Sequence, residues 1–204
     1  EIGITMNFAP VADLRNDAAT SADVTTYGMG WGQQRYSALA KIDKANVKRL
    51  VPAWNLSLDH SANASTQPLL VNGVMYVTTH NATTAIDAET GRQKWKTAIE
   101  LPADVNGYLC CGIQSRGAAA LDGVLYRTTI DAHVLAISMA DGKTIWKQKA
   151  ADYKQGYSMT HAPLIAVHAA EFDLGIAHAA KQHARDRLTG GIENFQFAIQ
   201  QRTT

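Results

Sequence analysis

Cys110 and Cys111 stand side by side, and an arginine follows closely in the run Leu109-Cys110-Cys111-Gly112-Ile113-Gln114-Ser115-Arg116-Gly117. Two adjacent thiols make neither a disulfide framework nor a zinc site, since both need spaced ligands. In an extended strand they would point to opposite faces. Bridged to each other, they would close a small ring across α-carbons only about 3.8 Å apart. The usual disulfide span is about 4.4–6.8 Å. Such a ring is strained and rigid, and it presents a flat, polarizable sulfur surface on which a planar molecule could stack. Two reduced, buried cysteines are the alternative, and the pair taken alone weighs the two readings equally.

Other chemistry-bearing residues carry less. His161, His168, His178 and His183 crowd into one stretch. On a helix, His178 and His183 would lie about 140° apart around the axis and would not converge on one ion. There is no His-Glu-x-x-His pattern, so these histidines read as solvated. Arg185-Asp186-Arg187 reads as a solvated face rather than an anion site. Across the whole 204 residues, Lys+Arg 19 against Asp+Glu 18 leaves a formal charge of +1. That balance gives no electrostatic case for nucleic acid or an anionic membrane surface. At 46% hydrophobic and 18% charged, the chain is too apolar to stay disordered. No apolar run approaches the roughly 18 residues that a membrane span needs. Glu1 opens the chain without a basic n-region or an apolar h-region, so no export signal is read in it.

The elements that must hold Cys110, Cys111 and Arg116 declare themselves through an internal repeat. One copy reads Asn72-Gly73-Val74-Met75-Tyr76-Val77-Thr78-Thr79, then Ala85-Ile86-Asp87-Ala88-Glu89-Thr90-Gly91, then Trp95-Lys96. The second reads Asp122-Gly123-Val124-Leu125-Tyr126-Arg127-Thr128-Thr129, then Ala136-Ile137-Ser138-Met139-Ala140-Asp141-Gly142, then Trp146-Lys147. The offset is 50 at the first glycine and 51 at the tryptophan, so one residue is inserted between them.

Each copy parses into strands. Asn-Gly or Asp-Gly supplies the positive-φ positions of a tight hairpin turn. Val74–Thr78 and Val124–Thr128 alternate and are rich in β-formers. A third strand runs through Ala85-Ile86 or Ala136-Ile137. A second glycine turn leads to a fourth strand ending at Trp95 or Trp146. Four short strands in about 50 residues is the pattern of a propeller blade. The tryptophans read as large apolar wedges between blades rather than ligand contacts. A third copy starts at Ala162-Pro163-Leu164-Ile165-Ala166, matching Pro68-Leu69-Leu70-Val71, and then stops. Tyr36–Trp54 is expected to hold a short helix, Lys41–Leu50, followed by a strand, Val51–Leu58. The stretch Glu171–Leu188 has helical propensity through its alanines. An open partial ring would leave sheet edges and a blade face unburied, so the chain reads as a piece of something larger.

With the repeat and Arg116 included, the sequence resembles the pyrroloquinoline quinone (PQQ) dependent alcohol and methanol dehydrogenases, the quinoprotein propellers. The resemblance covers roughly residues 27–166. It rests also on Gln34-Arg35-Tyr36-Ser37, the segment Ile42–Leu50, Gln67-Pro68-Leu69, Val77-Thr78-Thr79-His80-Asn81-Ala82 and Gly156-Tyr157-Ser158-Met159-Thr160. It implies an all-β fold: a partial β-propeller, about three blades of an eight-bladed one, over 27–166. A lead-in, 1–26, precedes it, and an atypical tail of helical propensity, 167–204, follows. It implies that Cys110 and Cys111 are the vicinal disulfide stacking on one face of PQQ. Arg116 would contact the quinone oxygens, where a fixed positive charge stabilises the reduced, anionic cofactor, and Thr160 would hydrogen-bond it.

Departures accompany the match. The family's cofactor-binding glutamate, three residues before the proline of a blade's first strand, is Ser65 here. Where the family continues into a Ser-Gly-Ala-Glu-Phe-Gly stretch, this chain has Val167-His168-Ala169-Ala170-Glu171-Phe172-Asp173. Glu171 is thus a weak remnant of the glutamate that binds the metal, calcium or a lanthanide. No catalytic residue is assigned, because the family's aspartate base, metal-binding asparagine and tryptophan floor have no counterpart here. The resemblance implies a periplasmic enzyme that oxidises a primary alcohol such as methanol or ethanol to the aldehyde and passes electrons to a cytochrome c. This chain alone is expected to be incomplete and inactive. The rival readings are a non-catalytic propeller scaffold of the PQQ-like repeat type and a degenerate, truncated product.

Overall fold

A computed structural model of the chain describes residues 17, 23–30, 32–58, 64–109 and 112–165. The expected lead-in falls mostly, and the expected tail wholly, outside these residues. Among the described residues the regular structure is nine strands and short 3₁₀ turns. They are β1 (Ala64–Gln67), β2 (Leu69–Val71), β3 (Val74–Thr78), β4 (Ala82–Asp87), β5 (Gln93–Ala98), β6 (Ser115–Leu121), β7 (Val124–Thr128), β8 (His133–Ser138) and β9 (Thr144–Lys149). They form two up-and-down sheets, β2-β3-β4-β5 and β6-β7-β8-β9, with β1 added in parallel to β6. Each four-stranded sheet is one copy of the repeat, and the all-β, partial-propeller reading stands.

Turn chemistry explains the registers. Asn72 and Gly73 both take positive φ (50° and 73°), as do Asp122 and Gly123 (49° and 75°), the two-residue turn whose twist matches antiparallel strands. Val71 therefore pairs with Val74, and Leu121 with Val124. The residue inserted between the copies lies in the next hairpin. Thr79-His80-Asn81 joins β3 to β4, whereas Thr129-Ile130-Asp131-Ala132 joins β7 to β8, and Ala132 takes a φ of 58° to close the longer loop.

Strand alternation distributes the core. Leu69, Val71, Tyr76 and Ala85 of the first sheet meet Ala118, Ala120, Leu125, Leu135 and Ile137 of the second in one buried cluster. On the other face of the second sheet, Ala119, Leu121, Tyr126 and Ala136 pack with Ile165. The second sheet is thus covered on both faces, which is why β6, β7 and β8 read as nearly continuous apolar runs. Trp95 is the expected wedge. It sits mid-strand in β5 rather than at its end, tilts against Tyr76 and donates Nε1–H to the carbonyl of Met139 across the sheet gap at 3.1 Å.

Three expectations are corrected. Lys41–Leu50 is not a helix beyond the 3₁₀ turn Val47–Arg49. Its apolar residues are exposed, leaving no packed face to repay helix nucleation, and Asp43 Oδ1 instead accepts the N–H groups of Ala45 and Asn46 in a local turn. Val51–Leu58 is not a strand, because no described strand lies beside it to pair with. Ala162–Ile165, expected to open a third copy, is not in a sheet for the same reason.

Candidate functional site

Arg116 is the second residue of β6, and its surroundings follow from how β6 begins. The parallel neighbour β1 approaches so closely that a β-carbon at Gly117 would lie 3.1 Å from the carbonyl oxygen of Gln67. Gly117 accordingly takes a φ of 135°, a backbone that glycine alone adopts readily. On its other side β6 meets the segment ending in Thr160. The Arg116 N–H donates to the Thr160 carbonyl at 2.9 Å, and Arg116 Nη1 donates to Thr160 Oγ1. Nη2 donates to Gln114 Oε1 at 2.9 Å. The two residues named from the sequence as cofactor contacts, 44 positions apart, are therefore brought together. Their contacts occupy two of the five N–H donors of a permanently charged, planar group.

Ser115 is buried and joins a short relay of hydroxyls: Thr66 Oγ1 to Thr78 Oγ1 at 3.0 Å, and Thr78 Oγ1 to Ser115 Oγ at 2.9 Å. Ser65, where the family carries a glutamate, is exposed on β1. Cys110, Cys111 and Glu171 lie outside the described residues, so their pairing and ligation are not part of the described geometry. The residues around the cysteines are described. Val105–Tyr108 is a 3₁₀ turn, tied to the loop before Thr160 by a hydrogen bond from Tyr153 to Asp104 at 2.8 Å and by edge-on packing of Tyr108 on Tyr153. That bond, with Lys154 close by, holds Asp104 below the usual carboxylate range.

A buried cation escaped the sequence reading. Arg127 is wholly buried on the face of β7 that looks toward the first sheet. Its Nη1 donates to the Ala82 carbonyl (2.6 Å) and to Thr83 Oγ1 (3.0 Å), and its Nη2 donates to the Thr79 carbonyl (2.8 Å). Burial pulls its pKa down to about 10, against the opposing pull of the Asp131 charge. Asp131, also buried, takes the Thr129 hydroxyl, His133 at 3.0 Å and Lys147 at 3.7 Å. Burial and, secondarily, the Arg127 charge lower the pKa of His80 on the hairpin that Arg127 holds. The available signal was the repeat itself: the matching position in the first copy is Val77.

The described residues suit a group bearing anionic oxygens. They offer a fixed cation flanked by a hydroxyl and an amide, with donors to spare and no carboxylate within hydrogen-bond reach of it. They do not supply a metal site, since no group of three or more His, Cys, Asp or Glu converges among them.

Comparison with known proteins bears on these features together. Residues 25–121 match the β-propeller domain of the glucose/ethanol/alcohol dehydrogenase (PQQ) family. The chain is 39% identical over 156 residues to the quinoprotein ethanol dehydrogenase of Pseudomonas aeruginosa, covering 75% of this chain and 25% of that one. Among solved structures, it matches the quinohemoprotein alcohol dehydrogenase of Pseudomonas putida HK5 with a TM-score of 0.73 and 31% identity, over 78% of this chain and 23% of that one. A europium-containing methanol dehydrogenase matches at a TM-score of 0.69 and 30% identity, over 72% of this chain and 26% of that one. The chain thus spans about a quarter of the length of the relatives it matches. Its two repeat-built sheets and the sequence they carry place it in the quinoprotein alcohol dehydrogenase family, as part of that family's β-propeller.

Proposed function

We propose that this chain supplies one wall of a PQQ site in an enzyme that oxidises a primary alcohol, methanol- or ethanol-like, to its aldehyde. The observation that carries the reading is the Arg116–Thr160 pairing at the start of β6, which joins a fixed cation and a hydroxyl, with Cys110 and Cys111 only a few residues before Arg116 in the sequence. PQQ, when bound, is the two-electron acceptor for such an oxidation. Arg116 would hold the oxygens of the quinone with its remaining donors, and its charge favours the anionic, reduced form over the neutral one. Thr160 would orient the guanidinium and lend its hydroxyl to the same edge. Cys110 and Cys111, bridged, would lay a sulfur face against the ring.

The names of the relatives support the substrate class, and the europium-containing neighbour supports a lanthanide as the companion ion, calcium being the alternative, with Glu171 as this chain's candidate ligand. A cytochrome c acceptor and a periplasmic setting complete the reading. No metal site forms among the described residues, and the family's aspartate base has no counterpart in the sequence, so the chain by itself is proposed to bind without turning over. The test titrates PQQ into the 204-residue chain while following tryptophan fluorescence, then adds Ca²⁺ or La³⁺, ethanol and a dye acceptor. Arg116→Gln should weaken PQQ binding at least about tenfold, the loss of a charge-assisted hydrogen bond, and no dye reduction should follow in either case. Equal binding by both forms, or robust turnover by the chain alone, would overturn the reading.

A further inference from the structure

The repeated pair Thr78-Thr79 and Thr128-Thr129 divides its labour in the same way in both copies. The second threonine of each pair closes its own hairpin. Thr79 N–H donates to the Ala82 carbonyl at 2.9 Å and its hydroxyl to Asn81 Oδ1 at 3.0 Å. Thr129 N–H donates to the His133 carbonyl at 2.9 Å and its hydroxyl to Asp131. The first threonine, pointing to the opposite face as alternation requires, reaches out of its sheet. Thr78 lies on the face of Val74 and Tyr76, toward the second sheet, and its hydroxyl meets Ser115 Oγ at 2.9 Å. Thr128 lies on the face of Tyr126, toward Ile165, and its hydroxyl donates to the His161 carbonyl at 2.6 Å. Both are buried, 1% and 4% exposed. Ser115 directly precedes Arg116, and His161 directly follows Thr160.

From this we infer that Thr78 and Thr128 are positioning residues for the candidate cofactor site: two equivalent hydroxyls that set where Arg116 and Thr160 stand relative to each other. The inference rests on the quinone reading of that pair. A hydroxyl is suited to the task because the sheets pack through apolar surfaces, which resist separation but fix sliding weakly. One short directional bond at the strand end adds a constraint there, beside those that Arg127 and Trp95 supply between the sheets. Thr78 also accepts from or donates to Thr66 at 3.0 Å, so β1, β3 and β6 are tied at one level.

The test uses the full chain, ¹⁵N-labelled, without cofactor. The Arg116 Nε–Hε signal, assigned with Arg116→Lys, should be set apart from those of solvated arginines. Thr128→Val and Thr78→Val, which keep the shape and remove the hydroxyl, should each move it toward the solvated position. Thr128→Ser and Thr78→Ser should restore it. Thr129→Val, removing an equally buried hairpin-closing hydroxyl, should leave it in place. PQQ titration of the same variants should show binding about three- to tenfold weaker for the valines and unchanged for the serines.

Several results would overturn the inference: an Arg116 signal unmoved in both valine variants, equal loss with valine and serine, or an equal shift from Thr129→Val. So would valine variants that unfold while the serine variants fold, which would assign the hydroxyls to stability alone. PQQ binding insensitive to Arg116→Gln would sink the quinone reading separately, while the signal of Arg116 still judges the two threonines.

Discussion

Arg127 takes a full positive charge out of water and surrounds it with two carbonyls and a hydroxyl from the neighbouring sheet. Such a group costs several kcal/mol to desolvate, and the partners it then satisfies become dependent on it. Replacing it with the residue of the first copy, Arg127→Val, strands the Thr79 carbonyl, leaves the Ala82 carbonyl to the Thr79 N–H, and leaves Asp131 with less compensating charge. The variant should lose about 3 kcal/mol or more of stability, read as a lowered urea midpoint at unchanged slope. Arg127→Lys keeps the charge but has no planar fork to span both carbonyls, and its midpoint should fall between the two. A valine variant as stable as the parent would mean that the buried network contributes nothing net. At this scale the sequence singled out Arg116 and Thr160, which sat in recognisable surroundings and which the fold brings into contact. It hid Arg127, because a charged residue in an alternating strand reads as outward-facing until the second sheet is seen to cover it.

Glycine turns show how an element's role depends on what stands opposite. Gly73 and Gly142 both take positive φ (73° and 76°), so both tolerate a side chain poorly. A β-carbon at Gly73 would meet open space, whereas one at Gly142 would lie 2.6 Å from the Trp95 ring. Gly73→Ala should therefore cost about 1 kcal/mol, the backbone contribution alone. Gly142→Ala must also displace the tryptophan and should cost about 3 kcal/mol, as measured by urea unfolding, with the Trp95 fluorescence maximum moving to the red. Equal costs would show that the wedge yields freely. Both turns were legible as turns from their residue types. Their unequal importance was not, because the ring that fills the space at Gly142 comes from the preceding copy.

For the whole molecule, Trp54 repeats the arrangement of Trp95 one step earlier. A β-carbon at Gly91 would lie 2.5 Å from the Trp54 ring, whose Nε1–H donates to the Ala88 carbonyl at 3.0 Å. Trp95 stands in the same relation to Gly142 and Met139. The strand expected at Val51–Leu58 is thus positioned as a blade's outer strand would be, without described strands to pair with it. Ahead of it and at its start, Tyr36, Leu39, Ile42, Leu50 and Val51 are all more than half exposed. That much exposed apolar surface in one short stretch of sequence is unusual for a chain that acts alone. The 204-residue chain by itself should self-associate at micromolar concentration, and Leu39→Lys with Val51→Lys should restore a monomer in sedimentation velocity without lowering the urea midpoint. A monomeric parent chain would contradict this.

The repeat, its tight turns, the all-β class and the family were determined by the amino-acid sequence alone. Each depends on local rules: alternation along a strand, the glycine or asparagine that a positive φ demands, and a motif's residue order. The tertiary structure decided which hydroxyl of a threonine pair reaches out of its sheet, which arginine is buried and which pairs with Thr160. It also decided that Lys41–Leu50 has no helix and that Val51–Leu58 has no strand. Those outcomes turn on what lies across a gap from a residue, and that partner is contributed by chain tens of positions away, so no local pattern encodes it.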